Sequence, residues 1–189
     1  MLNVRNEEGI IIAEFEHGKG NSITLETLRK LREVVKTADE DYAVKGIILT
    51  GAGRTFSSGF DLKMFLGFKD VDEVAAFLSE EDEILTELFM YKKPVVSAIN
   101  GHAVAGGLIF AMATDYRIAK NHPKISLGMS EIKIGLPLSL AQAEVMRFGF
   151  DSDRKYRDVM YFGKMFNVEQ ARDFGIVDEI VEEAELIPR

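Results

Sequence analysis

Two stretches of this chain follow one plan, GIILTGAGRTFSSGFDL at 46–62 and PVVSAINGHAVAGGLIF at 94–110. In each, a short apolar strand runs into a glycine-bearing loop and then into a helix. Two such units place the chain in the α/β class. Glycine in the loops permits backbone conformations closed to other residues and lets a ligand come close, and a helix N-terminus leaves amide hydrogens unpaired. Two loops of this kind are able to aim two N–H groups at one oxygen.

The flanking sequence supplies the other elements. Strands are predicted over 2–6 and 10–16, joined by a hairpin turn at Glu8-Gly9. Thr24 is placed to cap a helix whose apolar residues fall at Leu25, Leu28, Leu31, Val35 and Ala38. A second amphipathic helix is predicted over 71–91, with Val71, Val74, Ala75, Leu78, Leu85, Leu88 and Phe89 on one face and Pro94 stopping it. The run LIFAMAT reads as helix and Tyr116 to Ala119 as strand; beyond Leu138 the chain reads as mostly helical, with a last strand-like piece over 176–181. No low-complexity segment or linker divides it, so residues 1–189 are expected to form a single domain.

Composition narrows the function classes. A chain of 189 residues buries roughly 70% of its unfolded surface. A net charge of −8 disfavours nucleic acid as a partner, because neutralising phosphates needs a basic face. The absence of cysteine excludes disulfides, thiolate metal sites and a cysteine nucleophile. No apolar stretch approaches the ~20 residues of a membrane span. MLNVRNEEG lacks the basic start of a signal peptide, so the expected location is cytoplasmic, without membrane association.

The dinucleotide pattern GxGxxG, the phosphate loop GxxxxGK[ST] and the nucleophile elbow GxSxG are all missing. Instead the chain carries FSSGFDLK at 56–63, INGHAVAGGLIFAMATDYRIA at 99–119 and LGMSEIKIGLPL at 127–138. In that order they resemble the three signature regions of the crotonase (enoyl-CoA hydratase/isomerase) family. GKGNSITLETLRKL near the start and ARDFGIVDEIV near the end extend the resemblance over nearly the whole chain. It implies a ββα spiral with a short C-terminal helical region, lacking the family's usual C-terminal helices. It also implies an acyl-CoA thioester substrate, with coenzyme A part of the substrate rather than a cofactor, no metal, and assembly as a homotrimer or dimer of trimers.

By position, the resemblance puts the two donors to the thioester oxygen at the backbone N–H groups of Phe60 and Gly106. It carries the ligand-holding loop over to Ser58, Gly59, Phe60, Asp61 and Leu62, with Gly106 opposite. Phe60 stands where alanine is commonest in the family. Glu131 takes the position of the family's catalytic glutamate. The second glutamate, which hydratases carry three residues after the position of Gly106, is Ile109 here. One carboxylate suffices for a 1,3 proton shift, and AGGLIFAMATDYRI and GMSEIKIGLPL look particularly like monofunctional 3,2-enoyl-CoA isomerases. The expected reaction is therefore conversion of 3-enoyl-CoA to 2-enoyl-CoA in fatty-acid degradation. Another thioester reaction on the same grip (weak hydration, hydrolysis or decarboxylation) and a non-catalytic homologue that binds CoA or a protein are the alternatives.

Other residues have plainer readings. Glu131 alone, in a mixed SEIK run, would pass for a solvated surface group; enclosure by Leu127, Met129 and Ile134 is expected to raise its pKa. His102 reads as a structural turn residue, and His17 and His122 as loop residues with no metal role. Ser57 and Ser58 read as small walls rather than nucleophiles, and Lys63 as either a phosphate contact or a solvated lysine. The acidic runs at 80–83 and 179–185 read as solvated faces.

Overall fold

The computed structural model describes residues 1–187 of the 189. The chain opens on an antiparallel hairpin, β1 (Leu2–Glu7) and β2 (Ile10–Phe15), with Glu7 opposite Ile10. Its two turn residues both have positive φ, 53° at Glu8 and 88° at Gly9, the geometry whose twist matches that of the flanking strands. The Thr24 side chain accepts from the Thr27 amide and starts α1 (Leu25–Glu40), which buries Leu28, Leu31, Val34, Val35 and Ala38.

A three-part move then repeats. From β3 (Gly46–Gly51) the chain turns into β4 (Thr55–Ser57) and on to α2 (Leu62–Gly67) and α3 (Val71–Phe89). From β5 (Val95–Ile99) it turns into β6 (His102–Val104) and α4 (Gly106–Met112). From β7 (Tyr116–Lys120) it turns into β8 (Leu127–Gly128) and a 3₁₀ turn, Glu131–Ile134. The C-terminal region adds α5 (Leu140–Phe148), α6 (Asp153–Met160), β9 (Met165–Phe166), α7 (Val168–Phe174) and β10 (Glu179–Val181).

The first strand of each repeat enters a six-stranded sheet of order β1-β2-β3-β5-β7-β10, parallel except for the opening hairpin. The second enters a four-stranded sheet, β4-β6-β8-β9. This is the expected ββα spiral. The short strands β4 and β6 fall in stretches read from sequence as loops, and β8 in one given no element, because two or three residues are too few to show an alternating pattern. α4 is buried at all seven of its residues, which explains a helix with no polar face. Among the described residues, no helix is long and apolar enough to cross a membrane.

Two expectations about α3 need correction. Its buried face is Phe77, Glu81, Ile84, Leu85 and Leu88, while Val71 is 76% exposed and Ala75 is also exposed. The phase is set by Phe77, which joins a ring cluster with Phe60, Phe65 and Phe68. Residues four apart share a helix face, so Glu81 follows Phe77 inward, and the run at 80–83 is not uniformly solvated. Glu81 is fully buried. Gln142 Nε2 on α5 donates to its Oε2 at 3.0 Å, while its other oxygen has no partner among the described residues. Burial first, and then the neighbouring Asp82, push this carboxyl up to about 8.

Candidate active site

β4 and β6 run parallel, Thr55 beside His102 and Ser57 beside Ala103, so the loops that leave them arrive side by side. A Cβ on Gly59 would sit 2.9 Å from both the Gly106 nitrogen and the Ala105 Cβ, closer than real side chains come, and Gly59 has φ +87°. Only glycine serves there. The expected partners Gly59, Phe60 and Gly106 are therefore brought together, through backbone contact. Of the other loop residues carried over, Asp61 is half-buried and caps α2 by accepting from the Lys63 amide, while Ser58 and Leu62 are exposed.

The two amides of interest face away from their own secondary structure. Ile23 forms a parallel bridge to Phe60, with the Ile23 amide donating to Gly59 O at 2.8 Å and the Asp61 amide donating to Ile23 O at 3.0 Å. In a parallel bridge the residue between the two bonded neighbours turns its own N–H to the opposite side. Gly106 is the first residue of α4, where the Leu108 and Ile109 amides both reach Ala105 O and the Gly106 amide has no intrahelical acceptor. Among the described residues neither the Phe60 nor the Gly106 amide donates to a backbone carbonyl.

A stretch outside the expected set clamps this loop. Asn21, 2% exposed and at φ 48°, donates through Nδ2 to Ala52 O at 2.9 Å and Thr55 O at 2.6 Å, and its Oδ1 accepts from the His17 amide. Ser57 Oγ donates to Asn21 O at 2.9 Å and accepts from the Gly59 amide at 3.1 Å, which accounts for Ser57 as structure rather than nucleophile. His17 Nε2 lies 3.4 Å from Asp61 Oδ2, so His17 is more than a free loop residue. The asparagine within GKGNS was the available sequence signal for this clamp. The Phe60 ring folds back toward Gly106, its Cε2 and Cζ both 3.5 Å from where a Cβ there would be, and stacks edge-on against Phe77 at 5.4 Å.

The Ala105 amide donates to Gly128 O at 3.0 Å and ties the entrance of α4 to β8. Three residues further on, Glu131 opens the 3₁₀ turn and is only 7% exposed. Its Oε2 accepts from the Ser130 amide at 2.9 Å. It lines a cavity of about 260 Å³ whose other walls include Met129, Leu136, Pro137, Leu138 and Met160. Burial raises the carboxyl above its ordinary 4.5, against the opposing pull of backbone amides at Glu131 and Ser130. Leu127 and Met129 are buried as expected, but Ile134 is 63% exposed. The enclosure comes instead from residues 136–138 and from α6. Phe60 and Gly106 do not line this cavity; the Ala105–Gly128 hydrogen bond ties the start of α4 to the residue before Met129, which does. Ile109 is 1% exposed within α4.

Residues 5–189 match the family model described as enoyl-CoA hydratase/isomerase. Among similar curated proteins, a "Probable enoyl-CoA hydratase" of Mycobacterium leprae is 31% identical across 99% of this chain and 65% of its own length. The mitochondrial enoyl-CoA delta isomerase 1 of Rattus norvegicus is 29% identical across 97% of this chain and 63% of its own. The chain thus spans less than two thirds of the length of these relatives. Among solved structures, an enoyl-CoA hydratase from Bacillus anthracis superposes with a TM-score of 0.90 at 25% identity, covering 99% of this chain and 72% of that one.

Proposed function

The chain belongs to the enoyl-CoA hydratase/isomerase family, and from that premise we propose that it is an enoyl-CoA isomerase that moves the double bond of a 3-enoyl-CoA to position 2 with a single glutamate. The observation that carries this reading is the buried carboxyl of Glu131 in a largely apolar cavity, supported by Ile109 on α4 at the position where the resemblance puts a hydratase's second glutamate. The reaction needs a base at carbon 2 and donors at the thioester oxygen. Glu131 takes a proton from carbon 2, and the electron pair moves onto the oxygen between the Phe60 and Gly106 amides. Return of that proton to carbon 4 shifts the double bond from 3,4 to 2,3 and restores the carboxylate. An amide suits the donor role because it stabilises the enolate oxygen without readily losing its own hydrogen; one such donor contributes about 2.7–4 kcal/mol to a transition state.

Coenzyme A enters as part of the substrate, held along Ser58, Gly59, Phe60, Asp61 and Leu62, and the active form is a homotrimer or a dimer of trimers. The hydratase reading is favoured by the Mycobacterium leprae relative. One experiment separates the two. A 3-enoyl-CoA and a 2-enoyl-CoA are supplied in turn to wild type and to Glu131→Gln while conjugated thioester absorbance is followed. An isomerase gains absorbance with the first substrate, changes the second little, and loses activity in the variant. Rapid loss of absorbance from the second substrate makes the chain a hydratase. No change with either substrate, while CoA still binds, sinks both assignments.

A further inference from the structure

The three turns that carry the chain from the first sheet to the second converge on a cavity of about 650 Å³ that takes no part in the proposed reaction. Arg54 comes from the turn after β3 and Asn100 from the turn after β5, His102 opens β6, Lys120 ends β7, and Asn121, His122 and Lys124 follow it. Glu182 and Glu183 follow β10. The cavity therefore lies beyond the carboxyl ends of four parallel strands. Because β4 starts beside Arg54 and runs toward Gly59, and β6 starts at His102 and runs toward Gly106, the cavity and the Phe60–Gly106 contact sit at opposite ends of the same two strands.

Its chemistry points one way. In a chain of net charge −8, the lining holds three cations against two carboxylates. Each carboxylate already has a partner: Glu183 pairs with Lys120 at 2.7 Å, and Glu182 accepts from Asn121 Nδ2 at 2.8 Å. Among the described residues, Arg54 and Lys124 have no carboxylate within ion-pair reach. Both histidines have Nδ1 occupied, His102 accepting from the Ser126 amide at 3.1 Å and His122 from the Lys124 amide at 3.2 Å. A neutral imidazole that accepts at Nδ1 carries its hydrogen on Nε2, so each ring has a donor left to offer. The two imidazole N–H groups thus stand beside a lining with one more cation than carboxylates, an arrangement suited to a phosphate group. Glu183 registers that field: its carboxyl is held below its ordinary range, chiefly by the hydrogen bond from Lys120, with Arg54 contributing.

We infer that this cavity is a second ligand site, separate from the thioester site, which binds a small multiply charged anion through phosphate groups. The probes are inorganic phosphate and pyrophosphate, titrated calorimetrically into the full chain at constant ionic strength. Wild type is compared with the double variant Arg54→Ala, Lys124→Ala. Both residues are exposed, so the variant keeps its fold, which circular dichroism checks. The expected result is saturable binding, tighter for pyrophosphate, weakened at least tenfold in the variant, and unchanged when a saturating acyl-CoA is present. Non-saturating heats, or equal binding by wild type and a folded variant, overturn the site. Displacement of pyrophosphate by acyl-CoA overturns its separateness and gives the cavity to the substrate's own nucleotide.

Discussion

At the scale of single residues, the proposed reaction turns on Glu131. With Glu131 as the base, the enzyme works only when that carboxyl is ionised, and burial raises the pH at which ionisation happens. The acid limb of kcat/KM is expected to have its midpoint above the ordinary carboxylate value of 4.5 and to disappear with the residual activity of Glu131→Gln. Loss of general acid–base catalysis predicts a fall of about 10²–10⁴-fold in that variant. A pH profile with its midpoint at or below 4.5 would place the working carboxyl elsewhere. The burial of Glu131 was legible in sequence only through the company it keeps: alone, a glutamate in SEIK carries no mark of burial. What the sequence hid was which neighbours enclose it, because Ile134 and the residues at 136–138 are equally apolar and only the course of the chain after Gly135, at φ +67°, decides which turn inward.

At the scale of elements, the long periodic pieces were readable and the short ones were not. The hairpin and α1 lie where their patterns put them. β4, β6 and β8 escaped because they are held by neighbours in a sheet rather than by their own sequence. The position of α3 is legible and so is the core-facing side at Leu78, Leu85, Leu88 and Phe89, but the exposure of its first turns and the burial of Phe77 and Glu81 are not. The buried Glu81 has a measurable consequence. Its folded value of about 8 lies above the ordinary 4.5, so between those values the folded chain holds a proton the unfolded chain has released. Stability therefore falls as pH rises through that window, by at most about 1.4 kcal/mol for each step of one in pH. Chemical denaturation of wild type and Glu81→Gln at pH 5 and pH 8.5 is expected to show the variant gaining on wild type at the higher pH; parallel behaviour would mean that the carboxyl is not held neutral. The contact between the two glycine-bearing loops gives a second prediction. Gly59→Ala forces apart Gly59 and the Gly106 nitrogen, and misplacing one donor predicts a loss of about 10²–10³-fold in kcat with helical content retained. Turnover close to wild type in that variant would remove the Phe60–Gly106 pair from the reaction.

At the scale of the whole molecule, several large apolar side chains stand exposed. On α5, Leu140 is 77% and Phe148 78% exposed; on α2, Leu66 is 88% exposed. Large apolar side chains left in water on two helices are candidates for association surfaces. Light scattering is expected to give a mass that is a multiple of 21.2 kDa, and Leu140→Asp with Phe148→Asp is expected to lower it; a wild-type mass of 21.2 kDa would leave those residues without a partner of their own kind. The order of the spiral has a bearing on how the protein comes to be active. Phe60, Gly106 and Glu131 follow β4, β6 and β8, one in each successive repeat. A chain emerging from the ribosome and folding in register would hold both proposed donors once α4 has docked, before the segment bearing Glu131 is seated. Affinity for the thioester and the ability to turn it over would then mature at different moments in the life of the same molecule.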